Sequence, residues 1–365
     1  MKEEQNLQRI HRRDFLKTGA VLGGGFALGA GMHSIAGAQS AVGQGEGSSP
    51  HVHPSPQGHS NHTNPHLLTT VGDIAFDGRQ PLDPFHYLTA FNECEFPPHS
   101  DWYRESRLSS GQLLREYEIF AYDKEIEVAP GIYFPAWTYN GQVPGPTIRA
   151  TEGDLIKIHF VNQGSHAHTM HFHGFHHANM DGVFEIIAPG KDFTYEFEAD
   201  PVGLHPYHCH SIPLKRHIHK GLYGVYIVDP KEPRPPAHEM VMMMNGFDTN
   251  FDGDNEIYAV NSVAFHHMKN PIPVKLGELV RIFLVNILEF DLLNSFHVHA
   301  HFFDVFRTGT RLTPDEYTDT VHFVQGERAI VELRFRFPGQ FMFHAHQSEF
   351  AELGWMAFFE VREET

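Results

Sequence analysis

The feature that most constrains the fold is an internal repeat. EGDLIKIHFVN (Glu152 to Asn162) returns as LGELVRIFLVN (Leu276 to Asn286): a turn, an acidic residue, an alternating strand and a closing Val-Asn pair. Self-similarity at that separation points to two homologous domains in one chain. Both copies alternate apolar and polar residues with a period of two, the pattern of half-buried strands. NGQVPGPT (Asn140 to Thr147) and NGFDTNFDGDN (Asn245 to Asn255) punctuate further short strands, and DPKEPRPP (Asp229 to Pro236) reads as a Pro-rich joint. The 32 Gly and 24 Pro suit such a strand-and-turn chain. The expected fold is all-β: two Greek-key β-sandwich domains with little helix.

The histidines obey the same repeat. HTMHFHG supplies His168, His171 and His173, and NSFHVHAH supplies Asn294, His297, His299 and His301. A shift of 126 residues carries His168 to Asn294, His171 to His297 and His173 to His299. A shift of 136 carries HCH (208 to 210) onto HAH (344 to 346). Each domain therefore holds two His-x-His pairs at matched places.

Strand geometry sorts these residues. Positions two apart share a face and neighbours face opposite ways. His208 and His210 then point one way while Cys209, one of only two cysteines, points the other. His171 and His173 form a second same-face pair, and His168 lies on the face where Cys209 can meet it. Eight imidazoles in four pairs without matching acids need hydrogen-bond partners or a metal to justify their burial. Imidazole-only sets suit copper or zinc, whereas one thiolate with two imidazoles is the blue-copper set. Zinc alone leaves unexplained a cysteine wedged between ligands of a neighbouring site. As a wire the wedge makes sense, because one backbone step joins the Cys-bound copper to the flanking histidines.

NGQVPGPTIRATEGD, HFHG, HCH with HIHKGL, HVHAH and HAH together resemble the multicopper oxidases, in their two-domain, laccase-like branch. The likeness runs from about residue 110 to the end. It implies cupredoxin-like domains and four coppers per chain: one type 1, one type 2 and a type 3 pair. Carried over motif by motif, it makes His168, Cys209 and His217 the type 1 ligands, His171 and His297 the type 2 ligands. The type 3 pair takes His173, His208, His210, His299, His344 and His346. It further implies a homotrimer whose trinuclear clusters lie between subunits, a head-to-tail contact that closes into a ring. Dioxygen and a reducing substrate are the implied partners, with electrons entering through an exposed edge of His217. Asp181, in NMDGV, and Glu349, just after HAH, are the candidate proton-relay acids.

Two departures stand out. Six residues, SIPLKR, separate HCH from His217 where most laccases have three, which leaves His219 as a rival ligand. The axial position holds Leu222 instead of methionine, so a type 1 copper there is a stronger oxidant. In the second domain the corresponding positions read Asn294, Ala345, Phe350 and Trp355, which is no copper set.

The remaining motifs have plainer readings. DTNFDGDNE (Asp248 to Glu256) resembles a calcium loop without its twelfth-position Glu and is expected as a hairpin turn. MVMMMNG (Met240 to Gly246) is expected as a buried strand. Cys94 cannot form a disulfide with a cysteine that ligates copper.

HRRDFLKTGA followed by a Gly-broken apolar run and AGA resembles a twin-arginine export signal over residues 1–38, which implies a periplasmic or extracellular protein. A His/Pro/Ser-rich linker follows over 39–66 and an N-terminal extension over 67–115. Domain one is expected over 116–232 and domain two over 233–365. A net charge of −18 excludes a nucleic-acid partner, and no mature segment is apolar enough to span a membrane. Lys215 and Arg216 beside His217 disfavour a dedicated metal-ion docking site. Competing readings are a copper-containing nitrite reductase, with fewer histidine ligands, and a non-enzymatic copper-binding or electron-transfer protein, with one site. Phenols, Cu(I), Fe(II) and Mn(II) all stay open as reducing substrates.

Overall fold

A computed structural model describes residues 84–94 and 102–363. The export signal, the linker and the start of the extension lie outside the described residues. Two β-sandwiches follow one another along the chain. In the first, a five-stranded sheet runs Tyr103–Arg107, Leu113–Ala129, Leu155–Asn162, Asp192–Glu198, with Ile132–Tyr139 also paired to Leu113–Ala129. It faces a four-stranded sheet ordered Ile148–Thr151, Tyr223–Asp229, Gly203–His208, His171–Phe172. The strand Tyr103–Arg107, which the sequence assigns to the extension, is thus an edge of the first sheet. The second sandwich pairs a six-stranded sheet, containing His238–Phe247 and Val280–Asn286, with a five-stranded sheet containing Leu293–Val298 and Gly339–His344.

The repeated segments occupy equivalent places. Leu155–Asn162 runs parallel to Leu113–Ala129 and antiparallel to Asp192–Glu198. Val280–Asn286 runs parallel to His238–Phe247 and antiparallel to Arg328–Leu333. The closing asparagine explains itself: a buried side-chain amide can brace a loop from both sides. Asn162 donates to Ile187 O (2.8 Å) and accepts from Gly164 N (2.9 Å). Asn286 donates to Val324 O (3.0 Å) and accepts from Leu288 N (3.3 Å). In both halves it pins the turn that leads into the histidine-bearing strand.

One expectation fails in detail. Leu155–Asn162 alternates in burial, but Val280–Asn286 is buried throughout. Its polar position is Arg281. The first half covers the same face at Phe283, through Phe91 and the Arg149 guanidinium, and the Arg281 charge is held by Glu239 (2.7 Å) and Glu332 (2.6 Å). An apolar core accordingly runs across both halves, joining Leu204, Tyr223 and Val225 to Met242, Met244 and Phe283. The Met-rich segment is the buried strand His238–Phe247, and DTNFDGDNE is the turn between it and its antiparallel partner Ile257–Val260. Buried at about 1.5–3 kcal/mol per large apolar side chain, this shared core makes the two sandwiches one folding unit. Asn245 Nδ2 donating to Tyr223 Oη (2.7 Å) and Ser262 Oγ donating to Val143 O (2.7 Å) satisfy polar groups within it.

Candidate metal centre

Strand Gly203–His208 ends at His208 and delivers Cys209 and His210 immediately beyond it. The Cys209 amide donates to Leu222 O (2.9 Å), so the side chain is turned into the sandwich core and is fully buried. Its Sγ lies 3.2 Å from His217 Nδ1 and 4.0 Å from His168 Nδ1, and the two Nδ1 atoms are 3.2 Å apart. Donors about 2.0–2.3 Å from one ion would have this mutual spacing, and a thiolate with two imidazoles suits copper. Burial, then the charge of His217, holds the His168 ring down at about 3. Burial, then His166 and Arg216, holds His217 at about 4. Both rings are therefore neutral at pH 7, the form a metal requires. Burial pushes the Cys209 thiol up, so a bound cation is what would make it a thiolate.

The imidazole pairs form two further groups, built alike. His171 faces His208 across one antiparallel pair, and His297 faces His344 across the other. Nδ1–H groups donate to backbone carbonyls at equivalent places: His171 to Asp181 O (2.7 Å) and His297 to Asp319 O (2.8 Å). His208 donates to Cys209 O (3.0 Å) and His344 to Ala345 O (2.5 Å). A carbonyl on Nδ1 fixes the tautomer and aims the Nε2 lone pair the other way. The Nε2 atoms then meet, His173 to His208 at 3.4 Å and His299 to His344 at 2.9 Å. His210 and His346 complete the groups, with ring centroids 5.2 Å from His171 and 5.4 Å from His297. Among the described residues no ring contact or hydrogen bond joins the first-half group to the second-half group. His299 and His346 are exposed, and Phe175, Phe184, Leu293 and Phe302 are exposed on the loops and strands nearby.

The lengthened segment after HCH runs into the short helix Leu214–His219, which presents His217 to Cys209. His219 is not at the site. Its Nε2 accepts from the Asp248 amide (3.0 Å) and its ring packs against Phe134 and Phe290. Leu222 is fully buried in the core around Cys209. Asp181 Oδ1 lies 3.1 Å from His171 Nδ1, on the outer side of that ring. Glu349 is exposed on the helix Ser348–Glu352. Cys94 forms no disulfide with Cys209, and its thiol donates to Gln142 Oε1 (3.5 Å).

The second half repeats the architecture without the donors. Ala345 N donates to Trp355 O (3.2 Å) as Cys209 N does to Leu222 O. Phe350 takes the place of His217 and stacks on Tyr258 at 4.0 Å. Aromatic packing fills what is a ligand pocket in the first half.

One expectation is overturned. His217 is only 3% exposed, so it offers no open edge to a donor. Burial results from the insertion helix and from the Trp137 indole, whose centroid is 4.7 Å from the His217 ring. Trp137 was not singled out in the sequence, and neither were Thr169 and Ser295. Those hydroxyls accept from the His210 and His346 amides (2.9 and 2.8 Å). The 126-residue shift that relates the histidines also carries Thr169 onto Ser295 and is the signal that could have found them.

Two sandwiches of this kind, with one buried cysteine meeting two buried histidines and with matched imidazole groups, define a cupredoxin-type oxidoreductase. Sequence profiles described as multicopper oxidase match residues 123–233 and 233–365. A solved structure described as a multicopper oxidase is 57% identical, with a TM-score of 0.73, covering 77% of this chain and 97% of that one. The copper nitrite reductase of Nitrosomonas europaea is 29% identical, TM-score 0.62, covering 68% of this chain and 94% of that one. The copper-containing nitrite reductase of Neisseria meningitidis is 31% identical over 245 residues, 61% of this chain, and this chain spans 63% of that relative's length. The chain belongs to the multicopper oxidase family, and copper is the metal the family implies. No helix among the described residues is long and apolar enough to cross a membrane.

Proposed function

We propose that this chain is an exported, laccase-like oxidase that couples one-electron oxidation of a reducing substrate to four-electron reduction of dioxygen. The observation that carries the reading is the pair of matched four-imidazole groups, His171, His173, His208, His210 and His297, His299, His344, His346, in addition to the Cys209 site. Copper, when bound, supplies one-electron acceptance at Cys209 and dioxygen reduction to water at the imidazoles. His168, Cys209 and His217 would hold the type 1 ion, with Leu222 buried beside Cys209 and offering no donor atom. His171 and His297 would hold type 2 and the other six imidazoles type 3, for four coppers per chain.

The two imidazole groups face outward separately, beside exposed apolar side chains. That arrangement favours a head-to-tail homotrimer in which one subunit's first-half group closes on the next subunit's second-half group. The backbone that Cys209 shares with His208 and His210 would carry charge between the two kinds of site. Asp181, beside His171, is the proton-relay acid of the first half in this reading, and Glu349, just after HAH, that of the second. Folding before export fits a chain loaded with metal, in keeping with the twin-arginine-type signal.

A nitrite reductase is the second reading, favoured by the relatives of that name, although His210, His344 and His346 exceed what its single type 2 copper needs. Copper counting and gas uptake separate them. Four coppers per chain with oxygen consumption fit the oxidase. Two coppers with nitrite consumption replace it by the reductase, and one copper without turnover replaces it by a carrier.

A further inference from the structure

The ligands of the Cys209 site are closed to solvent: His168 and Cys209 show no exposure and His217 only 3%. A donor meets almost none of their surface. One indole meets both of the histidines. The Trp137 ring centroid lies 5.1 Å from that of His168 and 4.7 Å from that of His217. Its outward side meets the exposed His166 at 4.5 Å and the guanidinium of exposed Arg216 at 5.3 Å. The Trp137 amide donates to Lys220 O (2.7 Å), which ties the ring's backbone to the loop that follows His217. Tilted rings thus adjoin one another in sequence from the surface to both imidazoles. The second half offers the contrast: there Phe350, in the place of His217, stacks on Tyr258 and leads to no ligand.

We propose that Trp137 is the relay through which electrons reach the Cys209 site, and that donors dock on the His166–Arg216 rim above it. This rests on the oxidase reading of the Cys209 site. The rim also fixes a preference. Arg216 is exposed there, and the Lys220 ammonium lies 5.9 Å from the Trp137 ring. Against them, Asp123 is engaged by the Ser165 hydroxyl. A cationic, aromatic rim favours anionic or aromatic donors over metal cations. In each transfer the donor loses one electron and the type 1 Cu(II) becomes Cu(I), while the indole ends unchanged.

The test is anaerobic bleaching of the blue band by ferrocyanide, which becomes ferricyanide and moves no proton. It is followed by stopped flow in copper-loaded wild type, Trp137→Leu and Trp137→Phe, with the type 1 potential measured in each. Expected are an unchanged potential, bleaching at least about tenfold slower in the leucine variant, and a smaller loss in the phenylalanine variant. Arg216→Gln is expected to slow ferrocyanide and flatten its salt dependence. Wild-type bleaching in Trp137→Leu overturns the relay. If that variant does not form the band, His166→Ala and Arg216→Gln carry the test, and wild-type rates in both overturn the proposal. A wild-type protein that binds copper without a blue band would instead overturn the oxidase reading itself.

Discussion

Arg149 Nη1 lies 2.6 Å from Glu239 Oε2, an ion pair that joins the first sandwich to the second. The same guanidinium clasps Asp229 through two bonds of 2.6 and 3.0 Å, and Glu239 turns its other oxygen to the buried Arg281. The Arg149 guanidinium also lies over the Phe91 ring. Burial pushes the Glu239 carboxyl up, but Arg149 and Arg281 outweigh it and hold the group below the usual carboxylate range. Both side chains are about four-fifths covered, so screening is incomplete. Arg149→Met leaves Asp229 unpaired and should cost on the order of 2 kcal/mol in urea unfolding of the copper-free protein. An unchanged unfolding midpoint would show that the clamp contributes nothing.

The matched glycines make a sharper comparison. Gly221 (φ +111°) and Gly354 (φ +132°) close the turns that follow the ligand position, His217 in one half and Phe350 in the other. A Cβ on Gly221 would come within 2.9 Å of Trp137 O, and one on Gly354 within 2.3 Å of Tyr258 O. Either alanine substitution should destabilise by about 1–3 kcal/mol. Only Gly221→Ala should shift the blue band, because only that turn carries a metal ligand. A shifted band in Gly354→Ala alone would mean the two halves have been matched wrongly.

Much of this was legible because a repeat and a period of two are local patterns. The sandwiches, the pairing of His171 with His208 and the turning of Cys209 away from its neighbours all follow from alternation and repetition. What was not legible depends on packing between distant segments. Whether His217 or His219 meets Cys209 is decided by the helix Leu214–His219, which also puts His219 against the Asp248 amide from the other half. The burial of His217 is decided by Trp137, eighty residues earlier in the chain. Val280–Asn286 lost its alternation for the same reason, since the surface that covers it belongs to another sandwich.

Leu222 is fully buried beside Cys209 and brings no donor atom. Leu222→Met is nearly volume-conserving, so folding should change by less than about 1.5 kcal/mol. A thioether able to approach the metal stabilises Cu(II) and should lower the type 1 potential, each ~59 mV being tenfold in the one-electron equilibrium. Redox titration of the blue band checks this. A potential that does not fall would remove Leu222 from the axial place.

Acid sensitivity follows from the buried imidazoles. In the copper-free protein His168 is held at about 3 and His208 and His217 at about 4, chiefly by burial, against an ordinary 6.5. Above about pH 6.5 these rings are neutral whether the chain is folded or not, and they contribute no pH dependence. Below that, the unfolded chain takes up protons that the folded chain refuses, so stability falls as pH falls. The slope approaches ~1.4 kcal/mol per pH unit for each such ring, until the folded values near 3 to 4 are passed. Copper requires the neutral ring and so deepens the same asymmetry in favour of the folded state. Thermal melts between about pH 7.5 and 4.5 should show the copper-free protein losing stability steeply below about 6.5. The loaded protein should hold out to lower pH and then lose metal and fold together. A flat copper-free profile over that window would mean the imidazoles are hydrated, and that the Cys209 site is open to water where the structure has it closed.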